Sequence, residues 1–366
     1  MKRQVVMYPF CAQMLPYVRH FNVCQSGYAL KGLISPLGFA LAGKDAAYAC
    51  NCDDIGMIVS ANLSEIDKPW DSLLIVQMED DVIVDDALFL EQLVESAIRL
   101  GKSIIWQGVC AEDAPKVIHV AKQKYPSKVL LQIKLPIDNT NGGHTQRSSF
   151  SAPIVMVGGF ILEADVTEVL IGLANKFTDE GFQPLVISRQ PVGELVGFRY
   201  IYDIFQDKTL SEATKITLLN KSMLKLEHDF APDIILIEAP DSLMQHNNRF
   251  PNGYGIQSIM LSKAIPPDYL IGCAPLNLCD AKSLESLSKY LEPFFGVPIA
   301  ATHISNALID SIATDANQRM SVLRLNMGYV RESIVNNKDE SSIPIFNIMD
   351  DGVNEIYALL SEELFL

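Results

Sequence analysis

Basic residues are scarce in this chain of 366 amino acids, and no segment concentrates them. Lysine and arginine together number 29 against 44 aspartates and glutamates, which gives a formal net charge of −15. Such a surface would repel a polyanion such as DNA or RNA. Uninterrupted apolar runs are also short, and none approaches the roughly 18 residues that a membrane-spanning helix needs. We therefore expect neither a nucleic-acid partner nor a membrane partner.

Cysteine pairs at a spacing typical of metal sites are lacking as well. The seven cysteines are scattered, mostly within apolar stretches: Cys11, Cys24, Cys50, Cys52, Cys110, Cys273 and Cys279. The segment CNCDD (50–54) offers two thiols and two carboxylates, but no second Cys pair or His lies near enough to complete a zinc site. Lys2 and Arg3 precede only a short apolar run, which Pro9 interrupts, so we expect no signal peptide. These features predict reduced thiols, no metal centre and a cytoplasmic location.

The length and the alternation of apolar segments predict two α/β domains. A chain of 366 residues, 49% of them hydrophobic, exceeds the usual ceiling for a single core. In residues 1–135, short apolar runs alternate with amphipathic segments, which indicates βαβ units and a parallel sheet. The predicted strands are 4–10, 30–36, 55–60, 72–77, 103–109 and 128–135, and the predicted helices are 85–101 and 113–126. The acidic EDDVIVDD (79–86) lacks the spacing of an EF-hand, and we interpret it as the acidic start of a helix.

A polar segment rich in Gly, Ser, Thr and Asn, residues 136–152, has the composition of a linker. A second alternating series follows it over 153–366 and predicts a second parallel sheet, with an amphipathic helix at its C-terminal end. The predicted strands are 153–160, 183–189, 232–240, 268–276 and 297–305, and the intervening helices are 165–181, 210–230 and 279–296. The runs IVMVGG and IILIEAP are apolar on both faces, as in strands buried between helix layers.

The segment VMVGGFILEADVTEVL (155–170) has the layout of a phosphate-binding P-loop: an apolar strand, two glycines, a polar turn and a helix start. Its candidate ligand-binding residues are Gly158, Gly159, Asp165 and Thr167. Asp165 stands where a P-loop has its phosphate-binding lysine. Each unit charge is worth roughly 4 kcal/mol at 4 Å and an effective dielectric constant near 20, so we expect no ordinary ATP hydrolysis. The loop could still bind a smaller anion, or be an ordinary tight turn in which Asp165 faces the helix dipole.

Three further loops follow predicted strands of the second domain, where open α/β sheets bind ligands. They supply Ser188 and Arg189 as further candidates for cofactor binding, together with Ser242. Glu238 ends a predicted central strand after four apolar residues, where an unpaired carboxylate would be costly. Glu238 therefore either holds a metal ion or another cation, or caps a loop. Asp241 and His303 complete the set of candidate catalytic residues, although His303 is equally well explained as a structural hydrogen-bonding residue.

These loops resemble those of the DUF1611 family, in which a Rossmann-like domain precedes a P-loop domain of the dethiobiotin-synthetase type. Where that family has G-x-x-x-x-G-K-x-T-T, this chain has GFILEADVTE (159–168), with Ala164 for the second Gly and Glu168 for the last Thr. The segments RQPVG (189–193) and EAPDSL (238–243) are similar to its later motifs. The resemblance covers about 155–305. It implies an N-terminal Rossmann-like domain (1–135), a C-terminal domain with a degenerate phosphate loop (153–366), and N-acyltransferase activity as one possible function.

The whole chain also resembles a clostridial family labelled peptide maturation system proteins. The similarity lies in the YPF start (8–10), in GGFILEADVTEVL (158–170) and in NGYGIQSIMLSKAIPPDYLI (252–271). It implies an accessory protein in the maturation of a peptide natural product, which binds the precursor peptide, partner enzymes or an acyl-carrier-related protein.

Two alternative functions stay open from the sequence. One is an acyl- or amide-forming transferase with Glu238 as general base, and the other is a non-catalytic scaffold. A transferase would use an acyl-CoA or an acyl-carrier thioester rather than ATP, and it needs a pocket that joins Glu238, Asp241, Asp165 and His303. A homo-oligomer is compatible with each of these functions.

Overall fold

The computed structural model describes residues 2–21, 27–78, 87–133, 149–338 and 341–364. Contacts divide the chain into two compact units, each built on a six-stranded sheet. The first unit is Met1–Pro136 with Gln190–Tyr200, and the second is Ile137–Arg189 with Ile201–Leu366. Most of the predicted linker (136–152), the segment EDDVIVDD (79–86) and Cys24 lie outside the described residues. The domain boundaries therefore stay a prediction.

The first unit is a parallel sheet with accompanying helices. Its strands are β1 (Arg3–Tyr8), β2 (Tyr28–Ile34), β3 (Val59–Ser60), β4 (Ser72–Val76), β5 (Ser103–Gly108) and β6 (Val129–Ile133). Its described α-helices are α1 (Leu15–Phe21), α2 (Ala87–Arg99) and α3 (Lys116–Lys124). The strand order is β3-β2-β1-β4-β5-β6, and every neighbouring pair is parallel. This is the order of a Rossmann fold.

The local sequence explains the packing of this sheet. All five residues of β4 are buried, as expected for a central strand covered on both faces. The buried residues of α2 recur at helical spacing, and they are Leu90, Leu93, Val94 and Ala97. The helix ends at Arg99. Two residues later, Gly101 has a positive φ of 77°, a conformation that glycine adopts without steric cost. These residues share one core with β1, β4 and β5.

The first unit lacks the glycine turn that a dinucleotide-binding Rossmann domain uses to approach a pyrophosphate. After β1 the chain continues as PFCAQM (9–14), with Phe10 and Met14 fully buried. Bulky side chains therefore fill the turn after β1, where a dinucleotide-binding domain would have glycine backbone facing the pyrophosphate. The segment Gln190–Tyr200 belongs to the same unit, and its Phe198 stacks on His20 of α1 with ring centroids 5.3 Å apart.

The second unit is also a parallel sheet with accompanying helices. Its strands are β7 (Ile154–Gly159), β8 (Pro184–Ile187), β9 (Ile234–Glu238), β10 (Tyr269–Ala274), β11 (Ile299–Ile304), the hairpin strands β12 (Ala307–Ile309) and β13 (Val322–Arg324), and β14 (Ile345–Phe346). Its helices include α4 (Val166–Asp179), α5 (Asp203–Gln206), α6 (Glu212–Phe230), α7 (Ile256–Ala264), α8 (Ala281–Phe295), α9 (Ser311–Asn317), α10 (Met327–Lys338) and α11 (Gly352–Leu364).

The main sheet of this unit has the order β14-β11-β10-β7-β9-β8, with all neighbours parallel. The apolar runs predicted as buried strands, β7 and β9, are adjacent and fully buried. The C-terminal helix α11 packs on α4, where the rings of Tyr357 and Phe177 lie 5.0 Å apart. The predicted α/β class with two parallel sheets is therefore confirmed.

An extension after β11 was not predicted from the sequence. It contains the antiparallel pair β12–β13 with α9 between the two strands, followed by α10. Each strand has only three residues, too few to give a clear alternating pattern. Among the described residues, no helix combines the length and the apolar character that crossing a bilayer would require.

Candidate functional site

The two glycines at the end of β7 are required by close packing. A Cβ atom on Gly158 would lie 2.4 Å from the Leu243 side chain, and one on Gly159 would lie 2.3 Å from the carbonyl oxygen of Ile161. The Gly159 carbonyl also accepts a hydrogen bond from the Leu243 N–H at 2.8 Å. The loops after β7 and β9 are thus held together without space for a larger residue at either glycine.

Asp165 lies at the start of α4, in a left-handed conformation with φ of 59°, which aspartate tolerates better than most residues. Its side chain is only 7% exposed and contacts three groups. Arg324 Nη1 donates to Oδ1 at 2.6 Å, and Ser305 Oγ donates to Oδ2 at 2.5 Å. His303 Nε2 faces Oδ2 at 3.9 Å. We name these four residues the Asp165 cluster.

The extension after β11 supplies the arginine of this cluster. Arg324, the last residue of β13, also donates from Nη1 to the Asn306 side-chain oxygen at 2.9 Å. Its Nη2 donates to the main-chain carbonyl of Glu163 at 2.7 Å. One guanidinium group therefore joins the hairpin to both the carboxylate and the backbone of the P-loop-like segment.

The charge state of Asp165 follows from competing effects. Burial, the largest single effect, raises the pKa of the Asp165 carboxyl, but the positive charge of Arg324 together with the facing groups of His303 and Ser305 outweighs it. The net result is a pKa well below the ordinary value for aspartate. Asp165 is therefore ionised at neutral pH, and its charge is matched by a cation from the same chain.

Side chains of the protein also bind the backbone N–H and carbonyl groups of the P-loop-like segment. The Leu162 N–H donates to Asn252 Oδ1 at 2.9 Å, and the Leu162 carbonyl faces Arg189 Nη2 at 3.5 Å. The next carbonyl, that of Glu163, binds Arg324. A phosphate-binding loop instead directs its N–H groups at the ligand. In this chain, side chains from two other loops bind part of that backbone.

Glu238 ends β9 with its side chain fully buried. Thr167 Oγ1 donates to Oε1 at 2.6 Å, while Ser188 Oγ and the Arg189 N–H donate to Oε2 at 3.2 and 3.0 Å. Arg189 Nε lies 3.6 Å from Oε1 and balances the charge. We name these four residues the Glu238 cluster. Both carboxylate oxygens have donors, which is the condition for burying a charge at tolerable cost.

Asp241 makes structural contacts, whereas the neighbouring Ser242 has a buried hydroxyl. Asp241 Oδ1 accepts the Ser258 N–H at 3.0 Å and the Ser258 hydroxyl at 2.5 Å, which anchors the first turn of α7. Burial raises the pKa of Asp241, although these hydrogen bonds oppose the rise. Ser242 is buried, and its Oγ has no hydrogen-bond partner among the described residues. A Cβ atom on Gly253 would lie 2.4 Å from that oxygen, so only glycine fits beside this hydroxyl.

His303 is fully buried beside β14. Its Nδ1 accepts the N–H of Ile348 at 3.2 Å, so Nε2 carries the proton of the neutral ring and points at Asp165. At 3.9 Å that contact is too long for a hydrogen bond. The imidazole is therefore positioned by the backbone and supports the Asp165 cluster.

The structure thus brings the predicted site residues into separate groups. Asp165 and His303 meet in one cluster, Glu238 joins Thr167, Ser188 and Arg189 in another, and Asp241 binds α7. Both Asp165 and Glu238 act on Cys273 of β10, whose thiol pKa is raised by burial and then by these two negative charges. Each of the two carboxylates has its own arginine, so neither needs a shared proton or cation.

Sequence reasoning missed Arg324 and Ser305. The available signal was the buried aspartate itself, which requires a nearby cation, but 159 residues separate Arg324 from Asp165. Within the described ranges, no group of three or more His, Cys, Asp and Glu side chains is arranged to hold a metal ion.

Comparison with known proteins supports the fold. A structure of a DUF1611 family protein from Anabaena variabilis ATCC 29413 aligns over 99% of this chain and 100% of its own, with a TM-score of 0.63 and 11% identity. Cobyrinic acid a,c-diamide synthase from Mycobacterium smegmatis, solved with an ATP analog and magnesium, aligns over 59% of this chain and 97% of its own, with a TM-score of 0.36 and 10% identity. No family model and no curated protein matches the chain. The first likeness shows a DUF1611-like fold, and the resemblance to peptide maturation proteins stays a prediction.

Replacing Glu238 by glutamine tests the role of the Glu238 cluster. The side-chain amide nitrogen of the new glutamine would face one of the hydrogen-bond donors that now bind Glu238, and Arg189 would lose its buried counter-charge. Glu238→Gln should therefore lower the melting temperature by about 5–10 °C. Glu292→Gln, an exposed position on α8, is the matched control and should melt like the wild type. A Glu238→Gln variant that melts with the wild type would contradict the structural role of this carboxylate.

The Asp165 cluster predicts a specific dependence of stability on pH. Because the pKa of Asp165 is lower in the folded than in the unfolded chain, its contribution is complete above the unfolded value of about 3.9 and is lost as the pH falls towards the folded value. Asp165→Asn should cost about 3 kcal/mol in the free energy of unfolding at pH 7. The difference from the wild type should shrink below about pH 4.

Urea unfolding at pH 7, 5 and 3 measures this dependence, with Asp53→Asn, an exposed aspartate of the first unit, as the control. The control should follow the wild-type profile throughout. Parallel pH profiles for the wild type and Asp165→Asn would show that the ion pair with Arg324 does not form.

Proposed function

We propose that this protein is an accessory factor in the maturation of a peptide natural product, acting in the cytoplasm without ordinary ATP hydrolysis. It binds the precursor peptide, a carrier protein or a partner enzyme. The link to peptide maturation rests on the sequence resemblance in the YPF start (8–10), the P-loop-like segment (158–170) and the segment 252–271. The non-hydrolytic character rests on the site geometry.

The observation that carries the proposal is the ion pair between Asp165 and Arg324. At the place of the phosphate-binding lysine the chain has an ionised carboxylate, and its counter-charge is a guanidinium that also binds the loop carbonyl of Glu163. A nucleotide would have to bring its phosphates beside the Asp165 charge and break this buried pair. Both steps oppose binding.

The geometry favours an accessory role over a transferase that uses Glu238. A general base must offer a free lone pair within hydrogen-bond reach of the substrate. Glu238 is fully buried, and donors from Thr167, Ser188 and Arg189 occupy both of its oxygens. Asp241 is bound to Ser258 in another group. The described contacts of Glu238 and Asp241 thus lie in separate groups, whereas a transferase needs a pocket that joins these carboxylates.

Stoichiometry distinguishes the two functions in a reconstituted maturation reaction. Precursor peptide and its partner enzymes are mixed, the protein is titrated in, and mature product is followed by mass spectrometry. An accessory factor acts as part of a complex, so the rate should rise linearly and saturate near about one equivalent of partner enzyme.

Two outcomes of this titration would contradict the proposal. A full rate at about a hundredth of an equivalent would indicate an enzyme that turns over, as in the transferase alternative. A rate that is the same with and without the protein would remove it from peptide maturation. The Glu292→Gln variant serves as a preparation control and should titrate like the wild type.

A further inference from the structure

A groove lies on the surface of the first unit, beside α2. It runs between the short 3-10 helix Leu63–Glu65 and α2, with a volume of about 390 Å³. Its apolar lining comes from Leu63, Phe89, Leu93 and Leu100, and Ser96 and Arg99 contribute polar groups. The volume is within the range of natural ligand sites.

The spacing of the lining residues gives the groove its length. Phe89, Leu93, Ser96 and Arg99 follow one another at intervals of three or four residues and so form one stripe along α2. Ten residues of helix rise about 15 Å. An extended peptide advances about 3.3 Å per residue, so the groove accommodates four to five residues of extended chain.

Arg99 at one end of this stripe has the character of a binding residue. Its side chain makes no ion pair or hydrogen bond with any described residue, and Glu95, one turn earlier, is beyond ion-pair distance. The last carbonyls of α2 already accept N–H groups of the following turn, among them those of Leu100 and Lys102. This guanidinium has no ion-pair partner within the part of the chain that the structure describes, and it lies beside an apolar surface.

We propose that this groove binds the C-terminal end of a peptide, with the α-carboxylate on Arg99 and an apolar terminal side chain over Leu93 and Phe89. A guanidinium matches a carboxylate in charge and in geometry, with two parallel N–H···O bonds. The apolar floor selects for a hydrophobic last residue, and Ser96 faces the peptide backbone. This assignment rests on the proposed function, because it gives the precursor peptide a place to bind.

Fluorescence anisotropy with a fluorescein-labelled hexapeptide tests the assignment. The probe is Gly-Ser-Gly-Ser-Phe-Leu with a free carboxylate, and its twin carries a C-terminal amide. The free acid should bind the wild-type protein at least about tenfold more tightly than the amide, because only the acid places a negative charge opposite the guanidinium. Arg99→Gln should weaken binding of the acid to the level of the amide. Arg319→Gln, an exposed arginine of the second unit, removes the same charge elsewhere and should leave both affinities unchanged.

Equal binding of the acid and the amide, or an Arg99→Gln variant that binds the acid like the wild type, would overturn the assignment of the groove. Failure of the acid to bind at all would overturn it too. None of these three results would remove the protein from peptide maturation, because that role is judged by the reconstituted reaction with its own precursor. The opposite combination is also informative. If the wild-type protein does not raise the rate of the reconstituted reaction but binds the hexapeptide through Arg99, the proposed function is overturned and the assignment of the groove stands.

Discussion

A carboxylate buried at the carboxyl end of the strands of a sheet requires a cation and a full set of hydrogen-bond donors. The second unit meets this requirement twice, with Arg324 for Asp165 and Arg189 for Glu238. Each pair draws on loops that are far apart in sequence. The two arginines also fix the local structure. Arg324 joins the β12–β13 hairpin to the loop after β7, and Arg189 faces a backbone carbonyl of the same loop.

The same constraint supports our proposal that this protein acts without nucleotide chemistry. A lysine in place of Asp165 would leave the Arg324 guanidinium beside a second cation, so the aspartate and the arginine are coupled. Asn252 binds the Leu162 N–H and fills a further part of the loop. Side chains of the unit itself therefore bind the backbone of this loop, which motivates our proposal that a peptide binds in the groove beside α2 instead.

The sequence predicts the fold class well, because runs such as IVMVGG and IILIEAP are apolar on both faces and alternate with amphipathic helices. It also identifies Asp165 and Glu238 as unusual. It does not identify their partners: Arg324 lies 159 residues from Asp165, and Thr167 lies 71 residues from Glu238. Periodicity contains no information on such contacts, and the three-residue strand that carries Arg324 is too short to show any. The two carboxylates that the sequence singles out, Asp165 and Glu238, are thus buried and each is paired with an arginine.

The central claim is that the Asp165–Arg324 pair has replaced nucleotide binding in this fold. Isothermal titration calorimetry with Mg-ATP tests it most directly on the wild-type protein, with the Asp165→Asn and Asp53→Asn variants alongside. We expect no saturable heat for the wild type, which corresponds to a dissociation constant weaker than about 1 mM. A saturable isotherm with a micromolar dissociation constant for the wild type would contradict the claim.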